Sequence, residues 1–548
     1  MITAAPKSLL QEGLIGIRLM GRLASYLRKS LTPDEAKAIL KQRLAQRDSD
    51  FIQLVKTCIY GFPKNPYNRL LEHAGCKLGD IENLIVKHGI EAGLQELFSQ
   101  GVYLTSQEFQ GGVETVRGSL RFHVDPQQLC NPLARRHIPI RSSGSRSHGT
   151  AVIRDLDFVF DNTVSLAVWL EARKLLEAQI ATWSVPGGVA LSNLIKFTSL
   201  GKAPLRWFSQ LDTSAKELDP RYRWSSHLLK FSGKLAGTAI PRPEFVSLED
   251  PRPVIEWIQN CVKNGKSPHL ITFSSSAVRL ARSALESGID LRDVHLTMTG
   301  EPVTPARLDY VKRSGAHALP AMGCVEVGHV GYGCLHPRAA DDMHLMKDLH
   351  VVIQPDKQKT EPMLNSQALL FSTLRMTAPL ILLNFSNGDQ AEIDRAECGC
   401  PLGRSGYDIH LTHVRSFEKL TSGGMALLDK DIVNILEEEL PRAFGGGPTD
   451  YQLREDESPE GNPLLYLVAH PRIGALDEAG LKAFFLNKVG SGAGAEKLTS
   501  LLWRDGEVLR IERSIPSTTA TGKIQHMHAR RSAPVSKAGA ISPQKPDP

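Results

Sequence analysis

The sequence predicts an α/β protein, with a large unit of parallel-rich sheets and helices followed by a small α+β unit. Three observations predict it. The first 130 residues are mostly helical in texture, with few strand signals. From about residue 138, short β-rich runs alternate with helical runs, the pattern of a parallel sheet covered by helices. Near residue 415 a second, shorter set of strands with two helices begins, and it reads as a compact module of its own.

Length and composition bound the alternatives. The chain has 548 residues, and at ~150 residues per domain that allows three or four domain-sized units. Hydrophobic residues make up 41% and charged residues 23%, which is ordinary globular usage and excludes chain-wide disorder or a fibrous protein. The net charge of +6 is too diluted to argue for a nucleic-acid partner. Eight cysteines in so long a chain do not make a disulfide scaffold. No apolar run approaches the ~18–20 residues of a membrane span. In the first thirty residues Glu12, Arg18 and Arg22 interrupt the apolar stretch, and no small-residue cleavage site follows. That segment reads as an amphipathic helix with Leu10, Leu14, Ile17 and Leu23 near one face. The expectation is a cytoplasmic protein without stable membrane insertion and without nucleic acid.

Taken in order, the elements are these. PDEAKAILKQRLAQRD (33–48) and KLGDIENLIVKHGIEAGLQELFSQG (77–101) carry apolar pairs at three- and four-residue steps and predict helices. HLITF (269–273), a helix through Ala277 to Ser287, VHLTMTG (294–300), a helix through Pro305 to Arg313 and AHALPAMG (316–323) form the clearest strand–helix alternation. Further strands are expected at HVVIQ (350–354), ALLFSTL (368–374), PLILLNF (379–385) and AEID (391–394). The small module should hold a helix in DKDIVNILEEELPRAF (429–444), with strands at YQLRED, LLYLVAHP and GEVLRIERS. The boundaries expected are a helical region over 1–130, a core over 131–414, a small domain over 415–531 and a Pro/Ser/Lys-rich flexible tail over 532–548.

Five segments could handle a nucleotide. In IPIRSSGSRSHGTAV (138–152) a strand runs into a turn crowded with hydroxyls and glycines, able to present N–H groups to phosphate; a solvated surface loop is the plainer alternative. Gly144 and Gly149 have Walker spacing, but Thr150 and Ala151 stand where Lys-Ser/Thr is required. Gly300-Glu301-Pro302 closes one strand, and Met322-Gly323-Cys324-Val325-Glu326-Val327-Gly328 closes another, where open α/β folds bind ligands. A carboxylate such as Glu326 can hold Mg²⁺ there or serve in a cap or ion pair. Asn387-Gly388-Asp389 offers a carboxylate to ribose hydroxyls, or a hairpin turn. Thr519-Ala520-Thr521-Gly522-Lys523-Ile524 ends the series with a lysine after a glycine turn.

In this order and spacing, the five segments resemble the adenylate-forming superfamily of acyl-CoA synthetases, nonribosomal adenylation domains and luciferases, and most closely its phenylacetate–CoA ligase-like branch. The resemblance covers roughly residues 100–531. It implies a large adenylate-forming domain with a small mobile C-terminal domain, and an acid–thiol ligase that uses ATP, Mg²⁺ and coenzyme A on a small carboxylic acid. Ser142, Ser143, Gly144, Ser145 and Thr150 would then cradle the β- and γ-phosphates, while Gly300, Glu301 and Pro302, with Met322 and Gly323, would lie beside adenine. Glu326 would bind Mg²⁺, Asp389 the ribose, and Lys523 would be the catalytic lysine. Arg415 would precede a hinge running to Lys419. The chain departs from the family pattern at Arg146, Ser147, Gly149, Met322, Val325 and Ser386-Asn387. A carrier-protein thiol as acceptor, a noncatalytic or repurposed binder, and a homodimer all stay open.

Cys334-Leu335-His336 and Cys398-Gly399-Cys400 supply four soft or borderline ligands from two segments separated by 61 residues. Such a set suits tetrahedral, structural Zn²⁺. Buried free thiols near a turn are the alternative, and the resemblance favours the metal.

Overall fold

The computed structural model describes residue 19 to residue 529, apart from 20, 24, 29, 136, 142–150, 186, 203, 205, 211–240, 356–363, 365, 417–428, 458–462, 490–508, 519–523 and 525. The main division of the chain into two compact units falls between 417 and 418.

One sheet of thirteen strands runs through the larger unit. Its parallel half begins at the edge strand Pro243–Phe245 and continues through Arg206–Ser209, Gln179–Ser184, Pro268–Phe273 and His295–Thr299 to His317–Cys324. Antiparallel pairing takes over from there, through Gly328–Gly333, Met343–Leu345, Ile409–Ser416, Phe385–Arg395, Ala368–Thr373 and His350–Ile353, and Leu104–Thr105 is the thirteenth strand, parallel to Phe385–Arg395. Helices Ser274–Glu286 and Pro305–Arg313 are the crossovers between neighbouring parallel strands, which short β-rich runs spaced by amphipathic stretches require. A helix that stays buried nearly all round, Gly188–Ser199, packs Leu191, Leu194 and Ile195 on Ile138, Ile140 and Leu156.

The N-terminal helices belong to the same core. Thr32 caps helix Pro33–Ala45 reciprocally with Glu35, each side chain accepting the other's backbone N–H. The long apolar pattern of 77–101 is split into Leu78–His88 and Ile90–Ser99 at Gly89, whose φ of 80° suits a residue without Cβ. Ile85, Leu94 and Leu97 pack against Leu380, Ile381, Leu382 and Leu383. That contact explains one departure from the sequence reading: PLILLNF is not a strand. Asn384 takes a φ of 49°, and its amide donates to the carbonyls of Leu94 and Val102 at 2.9 and 3.1 Å. The segment is held by N-terminal backbone instead of a ladder. The strand begins at Phe385 and runs to Arg395, absorbing both the Asn-Gly-Asp segment and AEID. Leu10, Leu14 and Ile17 lie outside the described residues; Leu23 is buried, with Leu19 and Leu27, against Ile138 and Leu156.

The smaller unit has a four-stranded sheet. Tyr451–Glu457 and Pro463–Ala469 form an antiparallel pair, flanked in parallel by Met527–Ala529 and Leu509–Arg513 respectively. Leu453, Leu465 and Leu467 meet Leu481 and Phe485 of helix Glu478–Val489 in its core. Among the described residues, no helix is long and apolar enough to cross a membrane.

Candidate functional site

The parallel strands His295–Thr299 and His317–Cys324 run in step, with Met298 opposite Pro320. Their C-terminal ends therefore bring Gly300-Glu301-Pro302 beside Met322-Gly323, at the sheet edge where open α/β folds leave room for a ligand. Gly300 has a φ of 75°, so the chain turns there without a Cβ penalty. The Glu301 carboxylate is committed to the scaffold. It accepts from the Ser275 N–H at 2.7 Å and the Ser275 hydroxyl at 3.0 Å, and pairs with the fully buried Arg307 at 3.6 Å. What the segment leaves free for a ligand is thus its backbone, with the side chain fixing the turn.

Between His317–Cys324 and Gly328–Gly333, a tight turn carries Glu326. Gly328 permits it: a Cβ there would sit 2.8 Å from the Phe158 ring and 2.9 Å from the Asn162 side-chain oxygen. Asp389 comes to the same place from strand Phe385–Arg395. The Cys324 thiol is pushed well up, first by burial and then by the charges of Glu326 and Asp389. Asn387 fixes Asp389 by donating to its carboxylate at 2.7 Å and accepting its N–H at 3.0 Å. No hairpin forms there. Asp389 and Gln390 face Ser416 and Arg415 on the neighbouring strand, and the Arg415 guanidinium lies 3.3 Å from Asp341. The structure thus gathers Met322, Gly323, Glu326 and Asp389 at one end of the sheet. Ser142, Ser143, Gly144, Ser145, Thr150, Lys523 and the hinge residues beyond Ser416 lie outside the described residues.

Sequence reasoning missed Arg154. The last residue of strand Ala151–Arg154, it donates to the carbonyls of Cys324 and Val325 at 3.2 Å each, so it holds the backbone that carries Glu326. Burial pulls its guanidinium down to about 10, against the favourable charges of Cys324 and Glu326. An arginine just after a hydroxyl-rich turn was the available signal.

Elsewhere in the larger unit the cysteines do come together, with one correction. Cys334, Cys398 and Cys400 are joined by His344, not His336, with all four ligand atoms within 4.8 Å of one another. Antiparallel pairing of Tyr332 with His344 brings that histidine beside Cys334. Its Nδ1 lies 2.7 Å from the Tyr407 carbonyl, which fixes the proton on Nδ1 and turns Nε2 toward Cys400 at 3.2 Å and Cys398 at 3.7 Å. That is the tautomer a metal-bound imidazole needs. His336 is exposed and hydrogen-bonds the Cys398 carbonyl at 2.8 Å, so it supports the cysteine turn from outside. Its Cys-x-His spacing mimicked a ligand pair, while His344 carried no spacing signal at all.

The donors fit their metals by chemistry. Three thiol sulfurs and an imidazole in a buried cluster suit Zn²⁺. Carboxylate oxygens at the strand ends suit Mg²⁺.

No family model matches the sequence, and no curated protein does. Solved structures do. The 2-hydroxyisobutyryl-CoA ligase, in its postadenylation state with 2-HIB-AMP, is 14% identical over 92% of this chain and 91% of its own, with a TM-score of 0.53. O-succinylbenzoate coenzyme A synthetase from Bacillus subtilis, in complex with ATP and magnesium ion, is 11% identical over 70% of this chain and 68% of its own. Its TM-score of 0.40 is too low to bear on the fold. The first likeness spans nearly the whole of both chains: this chain has the fold of that CoA ligase, the adenylate-forming fold.

Proposed function

We propose that the chain activates a carboxylic acid with Mg-ATP, forming an acyl-adenylate and pyrophosphate, and passes the acyl group to the thiol of coenzyme A. The observation that carries this reading is the meeting of Glu326 and Asp389 around Cys324, beside the Gly300–Pro302 and Met322–Gly323 strand ends, on this fold. The phenylacetate–CoA ligase-like branch is part of the proposal.

The reaction brings a carboxylate against a polyphosphate, so the obstacles are repulsion and placement. Glu326 would hold Mg²⁺, which would supply charge stabilisation for the departing pyrophosphate. Asp389, held by Asn387, accepts hydrogen bonds from the ribose hydroxyls and fixes the nucleoside. The backbone at Gly300 and Met322 packs on the base. The 142–150 hydroxyls and N–H groups hold the leaving pyrophosphate. Lys523 supplies a compact positive charge to the carboxylate and the α-phosphate. Transfer to the thiol follows a hinge motion at Arg415–Lys419. A Zn²⁺ on Cys334, His344, Cys398 and Cys400 is structural, because all four positions are protein ligands.

A panel of acids assayed for pyrophosphate release, with and without coenzyme A, tests the reading. Acid-dependent release supports activation, and acyl-CoA formed only when coenzyme A is added supports the acceptor. Absence of release with every acid removes the reading, and thioester formation only on a phosphopantetheine protein replaces the acceptor.

A further inference from the structure

Lys196 breaks the usual rule for lysines. It lies on helix Gly188–Ser199 and is only 4% exposed, although a lysine stem ordinarily carries its ammonium out to water. No carboxylate meets it among the described residues. Among the described residues, the charge acting on it is that of Arg154, of the same sign. Burial and that repulsion bring the ammonium down to about 7.

Atoms around it are unpaired as well. Ser192, one helical turn back on the same face, is 3% exposed and its hydroxyl has no partner. His329 feels both Lys196 and Arg154, and its imidazole, kept neutral by burial, is bonded to the Met322 backbone. Its N–H is held by Asn162 at 2.9 Å, and its carbonyl accepts from His350 at 2.7 Å. Arg154 keeps a buried, unpartnered Nε while its Nη2 binds the turn carrying Glu326. Among the described residues, a lysine, an arginine and a hydroxyl therefore lie next to the proposed nucleotide end, with no anion of the protein's own beside them except Glu326, which acts on Arg154 alone of the three. Buried polar groups left unpaired are costly, and so is a buried charge without a counter-charge. A cluster of them is what remains when the partner is a ligand.

We propose that Lys196, with Ser192 and Arg154, receives a second anionic group of the acid substrate, so that the acid activated here carries a further carboxylate or phosphonate besides the carboxylate that reacts. The inference rests on the proposed acid activation and names the class of acid. An apolar or singly charged acid leaves the cluster unmatched, whereas a diacid pairs it.

Two experiments separate this inference from the reading beneath it. In the first, nucleotide is absent and binding of glutarate, adipate and 4-phosphonobutyrate to the full chain is measured by calorimetry, against monomethyl glutarate and pentanoate. The doubly anionic probes should bind roughly 10- to 100-fold more tightly, and Lys196→Met should abolish the difference. In the second, pyrophosphate release is followed with the same acids, and kcat/KM should favour the diacids by a similar factor. In Lys196→Met that preference should collapse or invert toward the monoacids. Diacid binding without pyrophosphate release from any acid would uphold the site and remove the ligase reading. Release with monoacids as good as diacids, or a preference unchanged in Lys196→Met, would overturn the inference and leave the ligase reading standing. Lys196→Arg, which keeps the charge, is expected to retain part of the preference, and a full loss in Lys196→Arg equal to that in Lys196→Met would count against an electrostatic role.

Discussion

Replacing Lys196 with methionine should make the unliganded protein more stable, and by an amount that depends on pH. A lysine titrates ordinarily at 10.5, and burial, with Arg154 beside it, brings Lys196 to about 7. At ~1.4 kcal/mol per unit, the gap amounts to roughly 4–5 kcal/mol of destabilisation. The sign follows from proton counting. Below about pH 7 both the folded and the unfolded lysine are charged and the penalty is fully present. Between 7 and 10.5 the folded form has lost its proton and the unfolded form has not, so stability rises with pH. Methionine has nearly the same length and no charge, so it removes both the penalty and the slope. The gain should be roughly 4–5 kcal/mol at pH 6 and shrink to about a third of that at pH 9.5. In a unit of this size each kcal/mol moves Tm by only about 1–2 °C. Scanning calorimetry of the full chain at the two pH values should then show the larger unit's transition several degrees higher in the variant at pH 6 and little changed at pH 9.5. A lower Tm at pH 6, or an equal gain at both values, would refute the reasoning. The protein would have gained stability while losing its proposed preference for diacids, the trade expected of a strained binding group.

Other outcomes follow from the same geometry. Elemental analysis should find about one zinc per chain in the wild type and in His336→Ala, and close to none in His344→Ala or Cys400→Ser; loss of zinc in His336→Ala alone would restore the original ligand set. Arg43 binds Asp161, and Asp348 at 3.4 Å, inside the larger unit, so Arg43→Met should cost about 3–5 kcal/mol by leaving two buried carboxylates uncompensated, measured as a fall in Tm at pH 7. Lys523→Ala should lower adenylate formation by roughly 100-fold or more while synthetic acyl-adenylate is still converted to thioester.

How much was legible depended on whether the physics was local. Strands such as HLITF and VHLTMTG, with helix Pro305–Arg313 between VHLTMTG and the next strand, announce themselves by period and by a proline at the helix start, and the structure places them where expected. PLILLNF had the composition of a strand, but its backbone bonds Leu129, Asn131 and Thr373, and its Asn384 side-chain amide reaches the Leu94 and Val102 carbonyls far earlier in the chain; no local pattern encodes those distant partners. The helices from Phe51 to Phe98, unexplained by any motif, turn out to share a core with this same segment. At the site, Glu326 was legible because it follows a strand with glycine near it, and Asp389 because a glycine stands next to it, although it lies within a strand and not after one. Their meeting at Cys324 was not, since it depends on the order of strands in the sheet. The metal cluster shows the same limit from the other side. Three cysteines could be read from spacing, but the histidine was chosen by strand register, opposite Tyr332. Lys196 gave no signal at all, because in LIKFTS it looks like one lysine on an amphipathic helix, and only its burial among unpaired groups makes it exceptional.

The most direct test of the central claim is acid-dependent exchange of labelled pyrophosphate into ATP by the full chain with Mg²⁺. Label should enter ATP only when a suitable acid is present, with dicarboxylic acids the strongest, and Asp389→Asn should weaken ATP binding while leaving the rank order of acids intact. Exchange no greater than the acid-free control across mono- and diacids, in protein that demonstrably binds ATP, would contradict it.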